Sequence, residues 1–215
     1  LARIERVDPH LHAWVVVDAD RARADAAAVD RRIAAGEQVG PLAGIPLAVK
    51  DLEAAIGFVT THGSLLPRDD PPATTDSVLV ARLRAAGCVI LGKTNTPEYG
   101  YSADTTNGII GPTHNPWQLG RSPGGSSGGS AAALASGMVP LATGGDGGGS
   151  IRIPGALCGL PGFKTSNGRV PVGGPMPPGN GWLGVRSVMA RTVADTVHAL
   201  GAVVGHEETD PISLP

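Results

Sequence analysis

Two short loops in this chain place serine beside runs of glycine. The first reads GGSSGG and contains Ser126 and Ser127, and the second reads GGDGGGS and ends at Ser150. A serine hydroxyl attacks an amide carbonyl only if a base removes its proton and donors stabilise the oxyanion that forms. Glycine suits such donors, because a backbone without Cβ adopts positive φ and lets successive N–H groups converge on one oxygen. The loops therefore indicate a site for nucleophilic attack on a carbonyl carbon.

The base for this attack must come from elsewhere, because no histidine lies near either loop in sequence. Lys50 follows the apolar run IPLAV and is a candidate if burial keeps its amine neutral. A free lysine has a pKa near 10.4, so neutrality at pH 7 requires a lowering of about 3 to 4 pH units. The alternative is an ordinary lysine at a strand end that pairs with Asp51. Spacing alone leaves both interpretations open.

Two other motifs match known expressions but lack the context that those expressions require. Residues 87–94, GCVILGKT, fit GxxxxGK[ST], yet Cys, Val, Ile and Leu favour extended, buried backbone rather than a phosphate-binding turn. GxSxG occurs twice within 124–129, without the preceding strand that a nucleophile elbow needs. The six histidines are scattered, and His10 and His12 are interpreted as ordinary polar residues, so no metal site is predicted.

Composition excludes several classes of protein. Glycine and proline number 32 and 19 among 215 residues, but 41% hydrophobic and 17% charged residues are not the composition of a disordered chain. The glycine excess is local, with 19 of the 32 within residues 120–181. A formal net charge of −2 argues against binding nucleic acid through a basic field. The glycine excess thus indicates folded backbone that must come into close contact with another group.

The elements that must position these loops follow from the hydrophobic pattern. Helices are predicted over 20–35, over 77–86 with Asp76 as N-cap, from about Gly129, after the second loop, and over 190–204. Strands are predicted over 45–49, 88–91 and 139–143. Strands that alternate with helices indicate an α/β fold.

The longest motif is also the most specific. The stretch GGSSGGSAAALASGMVPLATGGDGGGSIRIPGALCG, with GIPLAVKD upstream, LGKTNTPEYG and GPTHNPW between, and ARTVADT downstream, resembles the amidase signature family of amide hydrolases. The resemblance covers essentially the whole chain. It implies a mixed central β-sheet flanked by helices, and it makes VILGKTN an ordinary strand and turn. Family members are usually around twice as long. Residues 1–215 are therefore expected to be the N-terminal part of a single amidase domain, with the C-terminal half missing and a glycine- and serine-rich catalytic core at about 120–181.

The resemblance implies a Ser-Ser-Lys triad. Ser150 would be the nucleophile that forms the acyl-enzyme, and Ser126 would be the bridging serine, held on a cis peptide bond. Lys50, neutral, would accept the proton that Ser150 passes through Ser126. Ser127 would orient the loop.

The resemblance also assigns the loop around the nucleophile. The backbone N–H groups of Gly147, Gly148 and Gly149, together with that of Ser150, correspond to the family's oxyanion hole. Asp146 and Arg152 flank the nucleophile and are expected to brace the loop rather than react.

The expected activity is hydrolysis of a carboxamide C–N bond to a carboxylate plus ammonia or an amine. One alternative shares this chemistry, the A subunit of a glutamyl-tRNA amidotransferase, and another is a nucleotide-binding module that uses Gly87 to Thr94. No cofactor is expected. The expected partner is a small-molecule amide. No direct contact with nucleic acid or with a membrane is expected, and a homodimer is a possible assembly. Cys88 and Cys158 lie in apolar surroundings and no signal peptide is visible, which favours a cytoplasmic location. The 215 residues alone are expected to be weakly active or misfolded.

Overall fold

The computed structural model describes residues 1–173 and 183–215, and these residues contain one five-stranded sheet. The strands in chain order are β1 (Trp14–Val17), β2 (Pro46–Lys50), β3 (Val89–Thr94), β4 (Leu141–Asp146) and β5 (Val185–Ala190). Across the sheet the order is β1-β3-β2-β4-β5. β2 is parallel to both of its neighbours, β3 and β4. The outer strands are antiparallel to the strands beside them, β1 to β3 and β5 to β4. The predicted mixed α/β sheet is confirmed.

Helices cover both faces of the sheet. In the described ranges they are α1 (Ala2–Leu11), α2 (Ala19–Ala34), α3 (Val78–Ala85), α4 (Gly128–Ala135), α5 (Arg152–Cys158) and α6 (Val193–Gly201), with one 3₁₀ turn at Glu98–Gly100. None of these helices is long and apolar enough to span a membrane. The end of the predicted core, residues 174–181, lies outside the described residues.

Strand alternation divides the buried side chains into two cores. Leu47 and Val49 pack with residues of α3 and α6, whereas Ala48 packs on the other face with residues of α1, α2 and α4. Successive side chains of a strand point to opposite faces. Lys50, two residues after Ala48, therefore points to the face that α4 covers.

Helix α4 lies close to the sheet because it consists almost entirely of small residues. A Cβ added to Gly129 would lie 2.4 Å from the backbone nitrogen of Asn95 and 2.7 Å from the carbonyl oxygen of Ala13. Any side chain at this position would thus collide with backbone. The glycines of GGSSGG therefore bring the start of α4, and the two serines before it, against the ends of the strands.

Most predicted elements are confirmed within a few residues, and three details are wrong. Ser77, not Asp76, is the N-cap of α3, since its side chain accepts a hydrogen bond from the N–H of Val80. Asp76 instead accepts from Ile56 and pairs with Arg84. The helix predicted over 190–204 is shorter, because Val185–Ala190 forms β5 and α6 spans only Val193–Gly201. α1, β1 and β5 were not predicted, and for the first two the reason is that charges and a proline interrupt the pattern before Trp14.

The nucleotide-binding alternative is wrong. The Walker-like residues run into β3 (Val89–Thr94), an inner strand that pairs with both β1 and β2. Lys93 points into the protein, where its Nζ lies 2.9 Å from Asp51 Oδ1 and both side chains are fully buried. A phosphate-binding loop needs exposed backbone N–H groups and an accessible lysine, and this segment provides neither.

Candidate active site

The site lies at one edge of the sheet, where the carboxyl ends of the parallel strands meet. β2 ends at Lys50, and β4 ends at Asp146, from which the chain turns through the glycine loop to Ser150. Crevices at the carboxyl ends of parallel strands are the usual place for ligands in open α/β sheets. A cleft of about 380 Å³ opens at this edge, and Lys50, Ser126 and Ser150 all line it. The structure thus brings the three predicted triad positions to one cleft.

Lys50 is held by two serine hydroxyls. Its side chain is buried, and Nζ donates to Ser126 Oγ at 2.7 Å and to Ser127 Oγ at 2.9 Å. Its backbone N–H donates to Thr143 Oγ1 at 2.8 Å, which fixes the end of β2 against β4. Both serines come from the loop that precedes α4. The amine is therefore fixed on the hydroxyl predicted to bridge to the nucleophile.

The charge on Lys50 is disfavoured. Burial lowers the pKa of its amine most, and Arg186 lowers it further, whereas Glu53 and Asp146 raise it; the resulting pKa is about 7. Asp51 is not its partner, since that carboxylate pairs with Lys93. Among the residues that the structure describes, Lys50 makes no ion pair. Near neutral pH a large fraction of the amine is therefore unprotonated and able to accept a proton.

Ser126 and Ser127 are both buried but have different partners. The Gly125–Ser126 peptide bond is cis, and the carbonyl of Ser126 accepts a hydrogen bond from Thr96 Oγ1 at 3.0 Å. Ser127 connects three parts of the site: its Oγ accepts from Lys50 and from the N–H of Gly145, and its own N–H donates to the carbonyl of Ser150. Ser127 therefore ties the two glycine loops together.

Ser150 lies partly buried at the cleft, just before α5. Its hydroxyl has no hydrogen-bond partner within residues 1–173 and 183–215, so its oxygen is available to a ligand in the cleft. The N–H groups of Gly147, Gly148 and Ser150 likewise have no partner in these ranges. Gly147 and Gly148 also line the cleft. These three N–H groups are therefore available, among the described residues, to donate to a bound group.

The structure corrects the prediction for Gly149. Its N–H donates to Asp146 Oδ1 at 2.7 Å and so is not available to a substrate oxygen. Gly149 has φ +125°, a conformation that favours glycine, and a Cβ there would lie 2.7 Å from Cδ1 of Ile153. Gly149 therefore shapes the loop instead of donating to the oxyanion.

Asp146 braces this loop, as predicted for it and for Arg152. Its carboxylate accepts from the N–H groups of Gly149, Ile151 and Arg152 and from the Arg152 guanidinium, with Nε and Nη2 both at 2.9 Å. Burial alone would raise the pKa of Asp146, but these hydrogen bonds together lower it to about 2. The carboxylate therefore stays charged at neutral pH and holds the turn that presents Ser150.

Replacing Asp146 with Asn should destabilise the fold and reduce activity. The amide places a donor where the carboxylate accepts from backbone N–H groups, so at least one buried donor loses its partner. Such a loss costs about 1–3 kcal/mol in the free energy of unfolding. Chemical denaturation measures it, with Asp69→Asn as control, because the Asp69 side chain is 84% exposed and its ion pair is with the adjacent Arg68. A wild-type free energy of unfolding for Asp146→Asn would contradict the bracing role.

Several residues of the cleft were missed by the sequence analysis. Arg186 reaches it from β5, and Tyr99 and Tyr101 line it from the turn after β3. Thr96, which holds the carbonyl of Ser126, is fully buried at 0% exposure. The available signal was an arginine within VRSVMA, a short strand-like run directly before the last helix.

The molecule is thus an α/β protein with a buried lysine on two serines, beside a third serine at a glycine loop. The family model described as Amidase matches residues 1–215, and the chain belongs to this family. An acylamidase of Rhodococcus erythropolis is 46% identical over 214 residues, which cover 100% of this chain and 44% of that protein. The A subunit of a glutamyl-tRNA(Gln) amidotransferase from Acidothermus cellulolyticus is 48% identical over 215 residues, covering 100% of this chain and 42% of that protein.

Solved structures agree with this family membership. A bacterial aryl acylamidase of the amidase signature family aligns with a TM-score of 0.93 and 42% identity, over 99% of this chain and 44% of that one. A peptide amidase from Stenotrophomonas maltophilia aligns with a TM-score of 0.88 and 35% identity, over 100% of this chain and 45% of that one. The chain therefore spans less than half the length of the relatives that it matches.

Proposed function

We propose that this chain carries the catalytic groups of an amidase that hydrolyses a carboxamide C–N bond through an acyl-enzyme on Ser150. The observation that carries the proposal is the 2.7 Å contact between Lys50 Nζ and Ser126 Oγ in the cleft that Ser150 lines. A lysine with a pKa of about 7 is a base at neutral pH, whereas an ordinary lysine is not.

In the first step, the neutral amine of Lys50 accepts the proton of Ser126 as Ser126 accepts the proton of Ser150. Ser150 Oγ then forms a bond to the carbonyl carbon of the amide. Collapse of the tetrahedral intermediate breaks the C–N bond, and the proton returns through Ser126 to the leaving nitrogen. Water repeats the attack on the acyl-enzyme and releases the carboxylic acid.

Charge on the carbonyl oxygen develops next to the glycine loop. The N–H groups of Gly147, Gly148 and Ser150 are the donors that support an oxyanion hole there. Each such donor contributes about 3 kcal/mol to lowering the barrier. Asp146 holds Gly149 and Ile151 in the turn, so the donors do not have to reorganise during the reaction.

We also propose that residues 1–215 are part of a single amidase domain. All the described strands belong to one sheet, and the hydrophobic cores on its two faces include residues from the helices. The proposed location is cytoplasmic, since both cysteines are free and buried.

A second candidate function shares the same chemistry. The amidotransferase relative from Acidothermus cellulolyticus, at 48% identity over 215 residues, favours a protein that releases ammonia for a partner enzyme. Co-purification with partner subunits and glutaminase activity that depends on tRNA would support this candidate over a free-standing amidase.

The experiment for the proposed function measures products. The complete polypeptide to which these residues belong is incubated with primary and aryl amides, and amine or ammonia is quantified against carboxylate. We expect release in a one-to-one ratio. Absence of Ser150-dependent release from every amide, including glutamine with tRNA present, would overturn the proposal.

A further inference from the structure

Arg186 points into the cleft beside the proposed catalytic groups. It belongs to β5, which pairs with β4, and it lines the same cleft as Lys50 and Ser150. Its side chain is only 19% exposed. A guanidinium that lies mostly out of water needs acceptors for its five N–H donors.

The structure supplies Arg186 with few acceptors. Its Nε lies 3.1 Å from Oε1 of Glu53, whose side chain is 2% exposed. The N–H is not directed at this oxygen, so Glu53 Oε1 is buried without a hydrogen bond from any described residue. Within the described part of the chain, the Arg186 side chain donates no hydrogen bond. The pair balances charge but leaves the donors of Arg186 unsatisfied.

The guanidinium of Arg186 lies against a glycine of β4. A Cβ added to Gly145 would lie 2.9 Å from Nη1 of Arg186, so the guanidinium rests against the bare backbone of β4. Gly145 also donates its N–H to Ser127 Oγ. Arg186 therefore lines the cleft beside the glycine that precedes Asp146 and the loop to Ser150.

The other basic side chains near the cleft are not available to bind a substrate oxygen, because each is already hydrogen-bonded within the protein. Arg152 is bound to Asp146 through two nitrogens, and Lys50 is held on Ser126 and Ser127. Glu53 and Asp146 are the carboxylates that face this region. Since Glu53 already offsets the charge of Arg186, an oxygen acceptor can bind whether it is charged or neutral.

We propose that Arg186 determines specificity by binding a second oxygen acceptor of the substrate, a carboxylate or a carboxamide oxygen, while the scissile amide lies at Ser150. The inference rests on the proposed function, because it takes the cleft as the amide site. It names the substrate class as amides that carry a further acceptor group. An arginine fork binds such planar groups through two parallel hydrogen bonds.

Binding to the Ser150→Ala variant tests this inference without turnover. Monoamides of linear dicarboxylic acids with three to five carbons, the corresponding diamides, and alkyl amides of equal length are titrated by calorimetry into the complete polypeptide. At least one acceptor-bearing ligand should bind about tenfold or more tightly than its alkyl match. Arg186→Met should abolish the preference, and Arg186→Lys should keep part of it for the carboxylate only. Arg186→Gln replaces Arg186→Met if the latter does not melt cooperatively.

Two outcomes would overturn the role of Arg186: equal binding of acceptor-bearing and alkyl amides, or a preference that survives in Arg186→Met. Either could occur while Ser150-dependent hydrolysis of alkyl amides continues, and that result would leave the proposed function intact. Conversely, a preference that depends on Arg186, without any hydrolysis by the wild type, would support the binding role and contradict the amidase proposal. A preference for the monoamide acids alone would assign the acceptor as a carboxylate, and equal binding of the diamides would assign it as a neutral oxygen.

Discussion

Ser150→Ala is expected to lower kcat/KM for amide hydrolysis by at least about 10⁴-fold, because the variant lacks the atom that forms the acyl bond. Stability should not change, since the Ser150 hydroxyl has no hydrogen-bond partner in the described ranges and lies at the cleft. Turnover of an aryl amide and the melting temperature, both measured on the complete polypeptide, check the two parts of this expectation.

The matched control is Ser166→Ala, which removes a hydroxyl from an exposed position outside the cleft. Its turnover and melting temperature should equal those of the wild type. Turnover within tenfold of the wild type in Ser150→Ala would remove Ser150 from the chemistry. If turnover of Ser150→Ala falls together with a large loss of stability, the fall would not be assigned to loss of the nucleophile.

Lys50→Met should lower kcat by about 10²–10⁴-fold, the usual contribution of a general base. In the wild type, the rate should rise as the pH increases through about 7, because only the neutral amine accepts a proton. The sign follows from the lowered pKa: below it, Lys50 is protonated and the relay is blocked. The residual rate of Lys50→Met should lack this step, and rates across pH 5–9 measure both effects.

Lys164→Met is the control for Lys50→Met, since within residues 1–173 and 183–215 its amine donates only to the neighbouring carbonyl of Thr165. It should keep the full rate and the step near pH 7. Methionine fills nearly the same space as the lysine stem, so the core around Lys50 should remain packed. A pH step that persists unchanged in Lys50→Met would assign the titration to another group.

Charge pairing around the cleft supports the choice of Lys50 as the proposed base. Three carboxylates are candidates to pair with it, and each has a cation of its own: Asp51 pairs with Lys93, Glu53 with Arg186, and Asp146 with Arg152. Burial then lowers the pKa of Lys50 without a carboxylate in contact to reverse the effect. Lys93, the lysine of the nucleotide-binding match, thus pairs with Asp51 and leaves that carboxylate unavailable to Lys50.

Much of the site could be predicted from the sequence because its elements are local. The apolar run before Lys50 predicts a buried strand, and strict alternation then directs Lys50 to the face of α4. The small residues after Ser127 predict a helix that packs closely. What remained open from spacing was the partner of Lys50, since adjacency in sequence suggested Asp51 and the structure places Ser126 and Ser127 there instead.

The parts that could not be predicted depend on contacts between distant or folded-back residues. The family motif assigns Gly149 as an oxyanion donor, but the N–H of Gly149 donates to the side chain of Asp146, three residues earlier in the same loop. Arg186 lies in β5, whose antiparallel pairing with β4 is a long-range contact that local periodicity does not report. The sequence therefore predicted which side chains meet at the cleft, but not the partner of each hydrogen-bond donor.

The central claim is that Ser150, activated through Ser126 and Lys50, is the nucleophile. A fluorophosphonate probe reacts covalently with an activated serine, and peptide mass mapping of the labelled protein identifies the residue. We predict one adduct, on Ser150, which disappears in Ser150→Ala and forms much more slowly in Lys50→Met. An adduct on Ser126 or Ser127, or labelling that persists in Ser150→Ala, would contradict the claim.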